Sequence, residues 1–137
     1  MAIAYGALIG GVIGLIIVGI MFLVARSAKP SFDAKRSREG SFGVAMAPKE
    51  VTARLKDAAG SMGYEVALLD EANDRIILSE GFGLTSYGNF IPVTAVQSGG
   101  ETTVTVGLTP KAPQYGPMVT RRHKSAMESV QSALGAA

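Results

Sequence analysis

The chain has 137 residues, with 13 Lys and Arg against 11 Asp and Glu, one His, and neither Cys nor Trp. The absence of cysteine excludes disulfides, thiolate metal sites, cysteine nucleophiles and a lipidated N-terminal cysteine. With one imidazole, acid–base chemistry would fall to carboxylates, Lys, Tyr or hydroxyls, which lowers the expectation of an enzyme.

No charged side chain occurs from Ala2 to Ala25, and Leu8 to Val24 is almost entirely Leu, Ile, Val, Gly, Met and Phe. At about 1.5 Å per helical residue such a run reaches the ~30 Å of a hydrocarbon core. A cleaved signal peptide would carry a basic leader and small residues at its exit. Here nothing basic precedes the run and the exit reads Ala25-Arg26-Ser27-Ala28, so residues 1–25 are expected to be a retained transmembrane helix. Arg26, Lys29, Lys35, Arg36 and Arg38 all follow it. By the positive-inside rule the N-terminus lies outside and the following domain is cytoplasmic, on a cell (inner) membrane. These five residues are also expected at the membrane surface, where a basic side chain close to anionic lipid gains about 1 kcal/mol. Topology alone would account for them equally.

Within the run, Gly6, Gly10 and Gly14 recur at four-residue spacing, with Ala7 and Gly11 as a second small pair. Residues four apart share a helix face, so this smooth stripe is expected to pack against another helix, from a second copy or a larger membrane complex. Glycine is also simply common in membrane helices.

Residues 26–40 read as a basic linker, rich in charge, Ser, Pro30 and Gly40. The domain, residues 41–137, is close to neutral, which makes nucleic acid an unlikely partner because the basic excess belongs to the linker. Phe42, Val44 and Met46 alternate in a strand over 41–46. Pro48 suits a first helical turn, Val51, Leu55, Ala58, Ala59 and Met62 continue at helical spacing, and Gly63 caps the end. Residues 64–69 and 75–80 flank the turn-forming run Asp70 to Asp74 as a hairpin. A second hairpin joins 89–97 to 101–109, in which Pro92 suggests an edge strand or a bulge. After Pro110–Pro117, a closing helix carries the stripe Val119, His123, Met127, Val130 and Leu134, with Ala126 beside it. The order is β-α-β-β-β-β-α, an α+β domain with an antiparallel sheet and two helices on one face.

Pro48, Gly63-Tyr64, Asn73-Asp74, Ser86-Tyr87-Gly88, Thr103-Val104-Thr105-Val106 and the late terminal helix together make the domain resemble small bacterial membrane-tethered domains of TATA-binding-protein-like or helix-grip-like architecture. The resemblance implies a concave sheet able to hold a lipid-like or aromatic ligand. The extra strands of larger helix-grip binders are missing, and no ligand residue carries over.

The glycine loop Gly81 to Ser86 lacks the third glycine and the lysine of a phosphate cradle. It is better read as a flexible loop between hairpins that presents Phe82 and Tyr87 to a partner or the bilayer surface. Arg121, Arg122 and Lys124 open the last helix, where cations oppose the helix dipole. They read first as a solvated face, and otherwise as a contact for lipid phosphate, an acidic partner or nucleic acid. Glu65, Asp70, Glu71, Asp74 and Glu80 gather along the first hairpin and read as surface charge. No catalytic, cofactor-binding or metal-ligating residue is identified. The expected function is a non-enzymatic accessory subunit of a larger membrane complex, such as a bacterial respiratory or transport assembly. The alternative is a membrane-tethered module binding an apolar small molecule.

Overall fold

The computed structural model describes residues 2–81, 88–112 and 117–135, with side chains from Gly10 onward. An N-terminal helix α1 (Ala2–Ser27) precedes β1 (Arg38–Val44), α2 (Pro48–Met62), β2 (Glu65–Asp70), β3 (Arg75–Glu80), β4 (Asn89–Ser98), β5 (Glu101–Pro110) and α3 (Pro117–Ala133). The element order after α1 is the one expected. The five strands form a single antiparallel sheet in the order β1-β5-β4-β3-β2.

Alternation along the strands decides which face is buried. Ile76 and Leu78 of β3, Ile91, Val93 and Ala95 of β4, and Val104, Val106 and Leu108 of β5 point to one side. There they meet Val51, Leu55 and Ala59 of α2 and Val119, Ala126 and Val130 of α3 in one core. Both helices therefore lie on the same sheet face. Pro48 occupies the start of α2, and Gly63 ends it in the left-handed region at φ 83°, its N–H reaching the carbonyls of Ala59 and Gly60. A side chain there would be strained, which is why glycine terminates this helix. The buried Thr102 hydroxyl donates to the Met46 carbonyl at 2.5 Å, tying the β1–α2 connection to the sheet. His123 Nε2 donates to the Val106 carbonyl at 3.1 Å, so the one imidazole serves helix-to-sheet packing.

Two expectations change, and a third feature is new. First, β1 spans Arg38–Val44 rather than 41–46, because it pairs along β5 from Arg38 opposite Leu108 to Val44 opposite Thr102. Met46 lies beyond the strand, half-buried against the core. The linker accordingly loses residues 38–40 to the sheet and residues 26–27 to α1. Second, Pro92 sits on the central strand β4, not on an edge, and without a bulge. The β4–β5 pairing runs Asn89–Pro110 and Phe90–Thr109, then resumes at Val93–Val106, so the ladder is interrupted where proline has no N–H to offer. Third, the edge strand β2 carries an irregularity between Val66 and Leu68, which breaks the regular edge presented to solvent.

The β2–β3 turn is built by one carboxylate. Asp70 accepts from the Asn73 backbone N–H (3.3 Å) and side-chain amide (2.9 Å), and from Arg75 Nη2 (2.6 Å) and Nε (3.2 Å). A short 3-10 turn, Glu71–Asn73, follows, and Asp74 adopts a left-handed conformation at φ 53°. The Arg75 and Asn73 hydrogen bonds hold the Asp70 carboxyl below its ordinary value.

Two outcomes are expected. Leu55→Ala, at a fully buried position, should lower unfolding stability by about 2–5 kcal/mol in urea titration; an unchanged midpoint would contradict this packing. For Asp70, a depressed folded-state value means stability that is complete above the unfolded carboxylate value and lost as pH falls through the folded one. Asp70→Asn should therefore flatten the acid limb of a stability–pH curve while leaving its position above neutrality nearly parallel to that of the parent.

Candidate functional site

The chemistry-bearing features fall into three places: the bare helix α1, the segment that joins it to the sheet, and a polar cluster where β3 and β4 pass beneath α3. In α1 the stretch Gly10–Ser27 is long and apolar enough to cross a membrane by length and composition. The large apolar side chains Val12, Ile13, Leu15, Ile16, Ile17, Val18, Ile20, Phe22, Leu23 and Val24 are 39–74% exposed. The domain covers none of them fully. A Cβ built at Gly10, Gly11 or Gly14 would meet nothing within 4 Å, so this part of the small-residue stripe is open. Gly6 and Ala7 lie in the same helix, but their surroundings lie outside the described residues.

The basic cluster expected at the membrane surface splits in two. Arg26, Lys29 and Lys35 are exposed. Arg36 is instead drawn onto the sheet: its guanidinium pairs with Glu39 at 3.5 Å, and its stem lies against Gly107 and Pro92. Arg38 donates to Thr120 Oγ1 at 3.1 Å, linking the start of β1 to α3. These two arginines thus also take part in the domain's own packing, Arg36 half-buried and Arg38 still exposed. The signal that could have found this is their spacing: Arg36 stands two residues before Arg38, which begins the strand.

Segment 28–37 is likewise not a loose tether. Phe32 lies beneath Arg75, whose guanidinium carbon is 4.2 Å from the ring centroid. Ser37 N–H donates to the Leu108 carbonyl at 2.9 Å. Arg75, held by Asp70 on one side, therefore presents its cationic face to the ring on the other, an arrangement worth about 0.5–1 kcal/mol at an exposed site. The glycine at position 107 is what permits the approach of Arg36. A Cβ there would fall 2.7 Å from Arg36 Cδ and 3.1 Å from Pro92 Cγ.

The polar cluster gathers residues distant in sequence. Glu80 accepts from Asn89 Nδ2 at 2.8 Å and stands 3.7 Å from Arg122 Nη1. Tyr64 is buried at the exit of α2, and burial raises its phenol above the ordinary value, an effect that Ser129 of α3 opposes. On the other sheet face Lys111 donates to Ser79 Oγ at 2.6 Å and lies 5.0 Å from the Phe90 ring centroid. Partial burial lowers the Lys111 ammonium value, opposed by Glu65 and Glu80. Of the hairpin carboxylates read as plain surface charge, Glu80 and Asp70 are engaged in structure. Of the basic group on α3, Arg122 joins Glu80, while Arg121 and Lys124 are exposed. Phe82 and Tyr87, and the glycine loop that carries them, lie outside the described residues. Among the described residues no group of three or more His, Asp or Glu is placed to hold a metal ion.

The described cavities are open grooves. One of ≈ 560 Å³ runs between α2 and α3, lined by Ser61, Met62, Ser125, Glu128 and Ser129 among others. Smaller ones flank the start of α2 and the end of α3.

No protein-family model and no curated protein matches the chain. Solved structures match it in shape. The crystal structure of Ara h 8.0201 superposes with a TM-score of 0.54 at 10% identity, covering 71% of this chain and 92% of that one. The solution structure of the Aha1 dimer from Colwellia psychrerythraea gives 0.52 at 10% identity, covering 72% and 92%. DynU16, from the dynemicin biosynthetic locus, gives 0.52 at 15% identity over 70% of this chain but only 44% of its own. At such identities the likeness is one of fold alone, and that fold is a small helix-grip-like α+β domain.

Proposed function

We propose that the chain is a single-pass, non-enzymatic membrane subunit in which α1 crosses the bilayer and the helix-grip-like domain stands on the cytoplasmic side as a docking module of a larger membrane assembly. The observation that carries this reading is the uncovered apolar surface of α1. A run of ten large apolar side chains at 39–74% exposure is unstable in water and is normally covered by lipid or by a partner. Length favours lipid, since 26 residues rise roughly 39 Å at 1.5 Å each. The one-sided cationic flank supports a cytoplasmic position for the domain. Within the membrane, the open face at Gly10, Gly11 and Gly14 would admit a second helix at short range. A bacterial respiratory or transport complex is the kind of assembly that offers such a helix.

The second reading, a tethered module for a lipid-like molecule, is favoured by the fold likeness and by the polar cluster of Tyr64, Glu80, Asn89 and Arg122, which would suit a polar head. The fully buried Leu55, Ile91, Val106 and Val130 fill the space between sheet and helices, which favours the docking role.

The chain should stay in the membrane fraction after alkaline carbonate washing. Because it has no native cysteine, single cysteines report topology cleanly. Ser61→Cys should be shielded from an impermeant maleimide in intact cells and react after lysis. Release by carbonate, or labelling of Ser61→Cys in intact cells, would reject the reading. In mild detergent the protein should migrate with partners, and Gly10→Leu should weaken that association by severalfold without releasing the chain from the membrane. A chain that migrates alone, indifferent to Gly10→Leu, argues against the assembly.

A further inference from the structure

The outer sheet face, opposite the helices, is not left to solvent. Ile77 alternates with the core residues Ile76 and Leu78 and so points outward, yet it is only 1% exposed. Its neighbour across the ladder is Pro92, also buried. What crosses this face is the segment leaving α1, with Phe32 under Arg75, the Arg36 stem on Pro92 and Gly107, and Ser37 bonded to Leu108. The end of α1 joins this arrangement, since Ala25 is 6% exposed. The segment has a direction. It meets the sheet at Arg75, the first residue of β3, and runs toward Leu108, where β1 begins opposite it.

Resting on the proposed membrane reading, we infer that residues 28–37 form a docked strap that fixes the domain in one orientation over the bilayer. Its β2–β3 turn and β4–β5 hairpin tip lie nearest the phospholipid headgroups, and the opposite ends of the strands lie farthest away. Phe32 is five residues beyond Ser27, a reach of at most roughly 17 Å, so the Arg75 end cannot stand far from the helix exit. Thr94 of β4 pairs with Arg75, and β4 continues beyond it to Ser98, which carries the Gly99-Gly100 tip to the same end. Glu80 pairs with Asn89, and Asn89 with Pro110, at the other end. The last turn of α2 lies there too, because β2 starts at Glu65 opposite Ser79. The headgroup contacts fall to Arg26, Lys29 and Lys35, exposed cations that precede the sheet. The strap, not surface charge, sets the orientation: at the near end Glu71 and Glu101 stand beside Lys49, Lys56 and Arg54, a mixed charge that gives anionic lipid little net pull.

The test uses the full chain in nanodiscs whose lipids include a headgroup-chelated paramagnetic metal, with a spin label at Gly100→Cys or Ser61→Cys. The Gly100 label should relax severalfold faster than the Ser61 label, equally in phosphatidylcholine alone and with phosphatidylglycerol added. Phe32→Ala, and separately Gly107→Val, should erase the contrast while circular dichroism stays unchanged. Equal relaxation of the two labels in inserted protein overturns the strap but leaves the membrane reading intact. So does a contrast that survives both variants or that appears only with phosphatidylglycerol. A chain that does not enter the nanodisc overturns both.

Discussion

Two short helices can bury only one face of a five-stranded sheet, and the rest of this structure follows from how that limit is met. Along each strand alternate residues must point to opposite sides, so covering Ile76, Ile91 and Val106 with α2 and α3 necessarily turns Ile77 and Pro92 outward. An antiparallel sheet tolerates a solvated second face when that face is polar. Here Thr94, Thr103, Thr105 and Thr109 meet that condition, but the Ile77–Pro92 patch does not. The chain uses the stretch between α1 and β1 to cover it, and so couples the membrane-spanning candidate to the domain's own packing.

That coupling depends on groups with two duties each. Arg75 neutralises Asp70 within the β2–β3 turn and offers its other face to Phe32. Arg36 is held by Glu39 while its aliphatic stem spreads over a glycine. Long basic side chains bury stems and keep charged heads hydrated, which is why a sequence with few apolar residues in its linker can still seal an apolar patch. Of the five linker cations, Arg36 and Arg38 make such contacts with the domain, and Arg38 remains exposed while doing so.

The likeness to solved helix-grip-like structures bears on the scaffold, and a scaffold does not specify an activity. What distinguishes this chain from a free-standing grip is local. Its core is closed by Leu55, Ile91 and Val130, its buried Thr52 and Thr102 hydroxyls donate to the Lys49 and Met46 carbonyls, and a long apolar helix precedes it.

Much was legible in the residues alone because the signals are local. The uncharged run to Ala25 exceeds any turn-sized apolar segment, Pro48 and Gly63 bracket a helix by backbone preference, and the two hairpins are marked by their turn residues. The element order and the α+β class followed from periodicity. Tertiary structure alone decided where each strand sits in the sheet, and hence that Pro92 lies on a central strand: strand order is set by which apolar faces must be shared, not by any neighbouring residue. It alone also joined Phe32 to Arg75, Arg36 to Gly107 and Glu80 to Arg122. Those contacts span tens of residues and arise only when the sheet brings distant chain segments into register, so no spacing along the sequence records them.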